Sequence, residues 1–280
     1  MKEKTIVYQP TSITEMQTLL KNNQKIVPLG GATEFLFGQA ELSISLPRYL
    51  LSLSTIKEFY EITKTERYVD LGAMVTLGRI LDLGEKNIPP ILYSAMKTIS
   101  SKNLRSLATI GGNLALTKGL KTLYPIMMNL DTRVEIKTGT ETFWEPYSKY
   151  ASDEFAKIRN QPHVITRVRI YTDGWSYSFF KRFGKKGVLD NETAYFVFLI
   201  RGQKNLISDA RISFSGEKFF RSRAFEEALK GQTLPFSLPV IDGFLSKGKE
   251  TFTSDLFAQK FQELLFFNLF EKCIRDLHYA

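Results

Sequence analysis

Two glycine pairs, each placed directly after an apolar run, constrain this chain more than any other feature. The first pair opens the segment Gly30–Thr33, and the second lies inside Thr109–Asn113. Because glycine has no Cβ, the backbone can pass within hydrogen-bonding distance of a large ligand at such positions. Short hydroxyl and amide side chains beside each pair add polar groups. Two such segments predict a long, phosphate-bearing ligand that is held from two sides.

Local signals place the first glycine pair at the end of a strand. Ser12 precedes apolar residues at helical spacing and predicts a helix start, with Glu15 as a carboxylate in the first turn. The β-prone run Lys25–Leu29 then leads into the glycine pair. Thr76 predicts a further helix start, and Val164–Tyr171 alternates as a half-buried strand does.

The composition, with 280 residues, 43% hydrophobic and 24% charged, is that of a soluble globular protein. No apolar run approaches the roughly 20 residues that a membrane span needs. The N-terminus lacks an apolar signal core, so we expect a cytoplasmic protein without membrane contact.

The single Cys273 excludes an internal disulfide and a cysteine-ligated cluster, and His163 and His278 show no metal-ligand spacing. We therefore predict no metal site, and any redox chemistry needs an organic cofactor.

The net charge of +9 raises the question of nucleic acid. The basic residues are spread along the chain, however, and the densest cluster, Lys181–Lys186, is short. An acidic partner subunit or a cofactor pyrophosphate explains the charge equally well. We predict no nucleic-acid binding.

The order of predicted elements indicates an α+β chain with two domains. The texture of the sequence changes near residue 173, which divides it into domains over residues 1–172 and 173–280. The first domain splits into subdomains over about residues 1–54 and 55–172. The second begins with three β-prone runs, which predict a three-stranded antiparallel sheet, and ends in a helical bundle.

Two apolar features of the second domain need an interpretation. The run Phe196–Phe198 is typical of strand core rather than of a stacking platform for a ligand. The helix predicted within Ser254–Leu277 carries large apolar side chains around nearly its whole circumference. Such a helix is either central to its domain or meets another chain, and we expect the first.

Four segments carry a resemblance to a known family: Leu29–Glu34, Val69–Leu77, Leu104–Leu114 and Phe180–Asp190. In this order and separation they are similar to the FAD-binding subunit of the molybdenum hydroxylases, the family of xanthine dehydrogenase. The third segment closely follows the family's "I-R-N-x-A-T-I-G-G-N" loop and is the most specific of the four. The resemblance covers nearly the whole chain. It implies a two-subdomain FAD-binding fold of the vanillyl-alcohol-oxidase and molybdenum-hydroxylase type.

The resemblance also implies a set of FAD-binding residues. One side of the diphosphate would be held by Pro28, Leu29, Gly30, Gly31, Ala32, Thr33, Glu34 and Phe35. The other side would be held, through backbone N–H groups and two polar side chains, by Thr109, Ile110, Gly111, Gly112 and Asn113. Ile165 and Lys181 would lie close to the cofactor, although Lys181 also fits a solvated strand lysine and Glu34 a solvent-facing turn residue.

The chain departs from the family pattern at two places. Thr122 stands where the family often has an aspartate, so a hydroxyl would replace a charged acceptor. Lys185 and Lys186 stand where arginine is common, and lysine cannot make a bidentate contact. Both departures remove a contact that the family pattern has, so both would lower the affinity for FAD.

The resemblance implies electron transfer through bound FAD as one subunit of a larger complex. A molybdenum-cofactor subunit and an iron–sulfur subunit would be its partners, and NAD or another acceptor would receive the electrons. No catalytic side chain is predicted, because the flavin does the chemistry. Two alternatives stay open: a stand-alone FAD oxidase, and a non-catalytic binding protein that kept the fold but lost FAD.

Overall fold

The computed structural model describes residues 4–37, 45–116, 122–172, 174–185 and 189–279. The chain mixes helix and sheet and divides into two compact units. The first unit comprises Met1–Ile88, Ser100–Thr117 and Leu130–Thr172; the second comprises Pro89–Ile99, Lys118–Asn129 and Asp173–Ala280. Within the described residues, no helix has the length and apolar character needed to cross a membrane.

The strands of the described residues are β1 Ile6–Tyr8, β2 Val27–Leu29, β3 Tyr49–Ser52, β4 Ile62–Lys64, β5 Tyr68–Gly72, β6 Arg133–Lys137, β7 Thr142–Pro146, β8 Val164–Tyr171, β9 Tyr177–Phe183, β10 Ala194–Gln203, β11 Leu206–Ser215 and β12 Phe219–Arg221. The α-helices are α1 Ile13–Asn22, α2 Thr33–Phe37, α3 Leu77–Asp82, α4 Pro90–Lys97, α5 Lys102–Arg105, α6 Ile110–Ala115, α7 Leu123–Asn129, α8 Tyr147–Tyr150, α9 Ala156–Arg159, α10 Arg223–Leu229, α11 Leu238–Thr251 and α12 Lys260–Asp276. Short 3₁₀ turns cover Lys57–Tyr60, Asp153–Phe155 and Ser254–Leu256.

The first unit contains two sheets. A parallel sheet has the order β1-β3-β2, and an antiparallel sheet has the order β4-β5-β8-β6-β7. Helix α1 begins as predicted, because the hydroxyl of Ser12 accepts a hydrogen bond from the N–H of Glu15 at 3.2 Å. Met16 and Leu20, four residues apart, are buried in one apolar cluster with Leu51. This packing fixes the end of β2, from which the first glycine pair emerges.

The second unit is built around an antiparallel sheet of order β12-β11-β10-β9. The prediction of three strands was wrong, since the short strand Phe219–Arg221 pairs with Ser213–Ser215 as a fourth. Three residues give too little periodicity to be recognised in a sequence, and the partners that stabilise this strand, β11 and the rings around Phe220, lie elsewhere along the chain.

Strand β10 is buried along Ala194–Ile200 on both faces, which confirms that its aromatic run is strand core. Helices α10 and α12 contact this sheet, and so does α7. On α12, Phe266 and Phe270 are fully buried, whereas Phe261 and Leu264 are exposed. The last helix is therefore central to the core of its unit.

The boundary between the units follows Thr172, and Asp173 itself lies outside the described residues. Two earlier helices, α4 and α7, also belong to the second unit, because α4 packs on β9 and α7 on β10 and β11. A single boundary in the sequence does not describe these two segments, which precede the boundary but belong to the second unit. Lys186, predicted at a site of arginine, also lies outside the described residues.

Candidate functional site

The two glycine segments line one cavity of about 350 Å³ in the first unit, which we call the loop cavity. Of the predicted residues, it brings together Pro28–Phe35 with Thr109, Gly112 and Asn113. Four further lining residues, not predicted from the sequence, directly flank these segments: Val27, Ala108, Ala115 and Leu116. The apolar neighbours of each glycine pair were the signal that could have identified them.

The first wall of the loop cavity follows from how β2 passes into α2. The carbonyl of Leu29 accepts a hydrogen bond from Leu53 at 3.1 Å, which holds the end of the strand. Ala32 then adopts a left-handed backbone with φ of 56°, a conformation that costs a non-glycine residue about 1–2 kcal/mol. The first backbone bond of α2 runs from Leu36 to Ala32 at 3.0 Å. The N–H groups of Thr33 and Phe35 precede it, so α2 supplies no acceptor for them.

The second wall is helix α6, with Thr109 as its N-cap. The N–H groups of residues 110–113 already donate within the protein. Those of Ile110 and Gly111 donate to the carbonyls of Val75 and Ala73, that of Gly112 to the hydroxyl of Thr109, and that of Asn113 to the carbonyl of Thr109. The expectation that this segment offers backbone donors is therefore revised. The groups that this segment can offer a ligand are the hydroxyl of Thr109, which accepts from Gly112, and Oδ1 of Asn113, which has no partner among the described residues.

Two of the four glycines are required by the protein itself. A Cβ on Gly31 would lie 1.9 Å from the carbonyl oxygen of Leu107, so the first glycine segment touches the chain two residues before Thr109. A Cβ on Gly111 would lie 2.6 Å from the Cβ of Ala73. These glycines let the two walls and the underlying turn pack closely, rather than admitting a ligand.

The other two glycines surround the hydroxyl of Thr109. A Cβ on Gly30 would lie 3.0 Å from this oxygen, and one on Gly112 would lie 2.9 Å from it. Thr109 is only 4% exposed and also forms an isolated bridge with Thr76, the cap of α3. Its side chain therefore sets the spacing of the two walls.

The loop cavity contains the features that a bound polar ligand would satisfy. Oδ1 of Asn113 is buried and has no hydrogen-bond partner among the described residues, which is costly unless a ligand or water supplies a donor. Among the described residues, the lining has no lysine or arginine, and Glu34 is its only charged residue. An anion held here would depend on N–H and hydroxyl donors. The protein therefore offers a ligand neutral hydrogen-bonding groups from both walls of the loop cavity.

A second cavity of about 300 Å³ shares Val27 and Pro28 with the loop cavity. Its other lining residues are Gln24, Lys25, Ile26, Arg159, Asn160, Gln161, Pro162 and His163. The Nδ1 of His163 donates to the carbonyl of Gln161 at 2.8 Å, because a carbonyl can only accept, and its Nε2 lies 3.0 Å from the hydroxyl of Tyr150. Burial lowers the pKa of His163, which keeps the ring neutral.

Five predicted residues line neither cavity: Ile110 and Gly111, which are buried in α6, and Thr122, Ile165 and Lys181. Thr122 is buried in the second unit, where its hydroxyl is 3.0 Å from that of Tyr195. Ile165 is buried in β8, and Lys181 lies on β9, exposed and opposite Phe196. Sequence similarity alone assigns these residues to the cofactor.

No group of three His, Cys, Asp or Glu side chains in the described part of the chain is placed to hold a metal ion. The lone Cys273 is buried, and burial raises the pKa of its thiol to about 12. The loop cavity therefore offers binding groups, and the described part of its lining contains no cysteine, histidine or lysine.

Known proteins are similar to this chain in sequence and in fold. Residues 2–171 match the model of a protein family described as the FAD-binding domain in molybdopterin dehydrogenase. The glyceraldehyde dehydrogenase medium chain of Sulfolobus acidocaldarius is 22% identical over 228 residues, which is 80% of each chain. The nicotine 6-hydroxylase medium subunit of Paenarthrobacter nicotinovorans is 26% identical over 251 residues, 84% of this chain and 83% of that one. A crystal structure of Cu,Mo-CO dehydrogenase shares the fold, with a TM-score of 0.77 and 18% identity over 98% of this chain and 96% of the other.

Proposed function

Because the chain belongs to the family of FAD-binding domains in molybdopterin dehydrogenases, we propose that it is the electron-transfer flavoprotein of a molybdenum-dependent hydroxylase complex. Electrons would pass from iron–sulfur clusters of one partner subunit through FAD to NAD or another acceptor. Substrate oxidation would take place at the molybdenum cofactor of a second partner. We place this complex in the cytoplasm, without nucleic acid or membrane contact.

The observation that carries the proposal is the convergence of both glycine segments on one cavity that contains the unpartnered Oδ1 of Asn113. In the proposed complex, Pro28–Phe35 line one side of the FAD diphosphate, and the N–H groups of Thr33 and Phe35 donate to it. Thr109 donates its hydroxyl hydrogen from the opposite side. The amide of Asn113 accepts a hydrogen bond from the ligand.

The second cavity shares the lining residues Val27 and Pro28 with the loop cavity, so we assign one nucleotide end of FAD to it. The exposed Lys25 and the amide side chains there provide polar partners for a ribose or a base. The neutral ring of His163 adds no charge beside the ligand.

Bound FAD supplies the redox chemistry, and this chain binds, orients and shields it. The apolar lining residues Leu29, Phe35 and Leu116 exclude water along one side of the loop cavity. That Thr122, Ile165 and Lys181 also contact FAD stays a prediction. Each would have to reach the ligand from outside the two cavities.

The test is reconstitution of the purified full chain with FAD. We expect a yellow protein that binds one FAD, detected by its absorbance and by flavin released on denaturation. Asn113→Leu should weaken FAD binding about 5- to 150-fold, because the ligand loses a buried partner worth about 1–3 kcal/mol. The control Asn103→Leu replaces an exposed amide outside both cavities and should bind like the wild type.

A wild-type chain that stays colourless after reconstitution would refute the proposal and favour the non-catalytic binding protein. Equal FAD affinity of the two asparagine variants would instead show that the loop cavity is not where FAD binds. A yellow protein that oxidises a substrate without any partner would favour the stand-alone oxidase.

A further inference from the structure

Residues 159–163 line one side of the second cavity, and we call them the Pro162 segment. Both ends of this segment are fastened to Tyr150. The hydroxyl of Tyr150 lies 3.0 Å from Nε2 of His163, and its backbone carbonyl accepts a hydrogen bond from the guanidinium of Arg159. Tyr150 is buried, and its ring packs against that of Phe155 with 5.7 Å between the centroids. A single buried residue therefore fixes the first and the last residue of the segment.

Between these two ends, the bend at Pro162 depends on the imidazole ring of His163. The N–H of Gln161 donates to the carbonyl of Ile158 at 3.0 Å, and Pro162 has no N–H. The carbonyl of Gln161 accepts its hydrogen bond from Nδ1 of His163 at 2.8 Å. Because Gln161 and Pro162 both line the second cavity, the ring of His163 fixes the surface that a ligand would meet there.

The neutral form of the ring suits both of its hydrogen bonds. Since Nδ1 donates to Gln161, Nε2 of the neutral ring carries a lone pair, which accepts the hydrogen of the Tyr150 hydroxyl. A proton on Nε2 would turn this acceptor into a donor, and the hydroxyl hydrogen would lose its partner in a buried place. Burial lowers the pKa of His163, in agreement with a neutral ring.

The charges that face His163 act in the same direction. Arg159 on α9 lies close enough to disfavour a positively charged ring. Burial raises the pKa of Tyr150 on α8, which stays uncharged. Lys25, before β2, is the other cation of the lining, and the described lining residues include no carboxylate. Protonation of His163 would therefore place three cations along one cavity, and their repulsion would displace the Pro162 segment.

We propose that His163 is a positioning residue for the nucleotide end of FAD, and that its neutral ring holds the Pro162 segment in the arrangement that binds. This inference rests on the proposed function, which places the diphosphate in the loop cavity and a base with its ribose in the second cavity. A base and a ribose carry no charge, so a cationic ring gains no ion pair from them and loses its bond to Tyr150. FAD binding therefore favours the deprotonated ring, and acid should release FAD.

The test titrates the flavin-free full chain with FAD between about pH 4.5 and 8, and follows the change in flavin fluorescence. Circular dichroism shows that the chain is folded at each pH. The wild-type affinity should fall at least about fivefold toward the acid end, because protonation costs one buried hydrogen bond. His163→Gln, whose side chain can accept from Tyr150 without titrating, should bind FAD with the same affinity throughout. The matched control His278→Gln changes the other histidine, which bonds to the carbonyl of Phe236 in the second unit, and should keep the wild-type pH dependence.

A second measurement separates positioning from general stabilisation. In NMR spectra of the histidine ring protons, FAD should lower the pKa of His163 and leave the signals of His278 unchanged. Tyr150→Phe should weaken FAD binding at neutral pH. Its effect should not add to that of His163→Leu, because both variants remove the same hydrogen bond. A residue that only stabilised the fold would change neither the pH dependence of binding nor the response of these signals to FAD.

The inference is overturned if His163→Gln keeps the wild-type pH dependence, if His163→Leu binds FAD normally, or if acid strengthens binding. Stronger binding in acid would show that the charged ring contacts the ligand itself. A wild type that binds no FAD at any pH overturns the proposed function together with this inference. A wild type that binds FAD equally at every pH, with no response of the His163 signals, overturns only the role of His163.

Discussion

Replacement of Gly31 by alanine tests whether the loop cavity depends on direct packing between the first glycine segment and Leu107. The new Cβ would lie 1.9 Å from the carbonyl oxygen of Leu107, and ordinary contact begins near 3.4 Å, so the two must separate by about 1.5 Å. The obstacle is a backbone carbonyl, so no change of rotamer relieves it. Such overpacking lowers the free energy of unfolding by about 1–3 kcal/mol. A shift of this size also exceeds the range of hydrogen-bond lengths, so FAD retention should fall as well.

The matched control is Gly78→Ala in the same unit. A Cβ on Gly78 would lie 3.4 Å from the carbonyl oxygen of Arg105, an ordinary contact, and alanine favours helix α3 by up to about 1 kcal/mol. Denaturant unfolding gives the stability of each variant, and the absorbance of released flavin gives its FAD content. If Gly31→Ala keeps the stability and the FAD of the wild type, the packing argument is refuted. Equal losses in both variants would show that any added methyl group in this region is harmful.

Three further predictions concern the two units separately. Asp70→Ala should lower the free energy of unfolding by about 3 kcal/mol in denaturant titrations, because buried Asp70 accepts hydrogen bonds from Nε and Nη2 of Arg169 at 2.8 and 2.7 Å. Phe266→Ala should cost about 3–5 kcal/mol in the second unit, since the ring is fully buried among other aromatic rings. Burial lowers the pKa of His163, so its contribution to stability is present above pH 6.5 and is lost as the pH falls through the lowered pKa. When the free energy of unfolding is measured as a function of pH, the variant His163→Phe should not show this loss of stability at acid pH.

Local chemistry made part of this fold predictable. Ser12 and Thr76 were recognised as helix caps because their signals lie within a few residues, and the structure confirms both. The strand Val164–Tyr171 was recognised from its alternation and is confirmed with the predicted bounds. The fourth strand, Phe219–Arg221, was missed because the partners that stabilise it lie elsewhere along the chain.

The candidate site was predictable as a set of segments but not as a set of contacts. The glycine motifs identified which residues would meet, since each motif is local. Which N–H groups remain available depends on partners far along the chain. The N–H groups of Ile110 and Gly111 are satisfied by the turn at Ala73–Val75, some 35 residues earlier. The partner of Thr122, the hydroxyl of Tyr195, is more distant still.

The glycine pairs therefore encode two requirements at once. Gly31 and Gly111 allow the walls of the cavity to pack on the protein, and Gly30 and Gly112 leave room for the hydroxyl of Thr109 between them. Substitution of any of the four changes the site by moving a wall, so a loss of FAD would not by itself identify a ligand contact. Asn113 is different, because its Oδ1 has no partner among the described residues and its replacement leaves the packing of the glycines intact. A loss of FAD in an Asn113 variant that keeps wild-type stability would thus report on the ligand rather than on the walls that hold it.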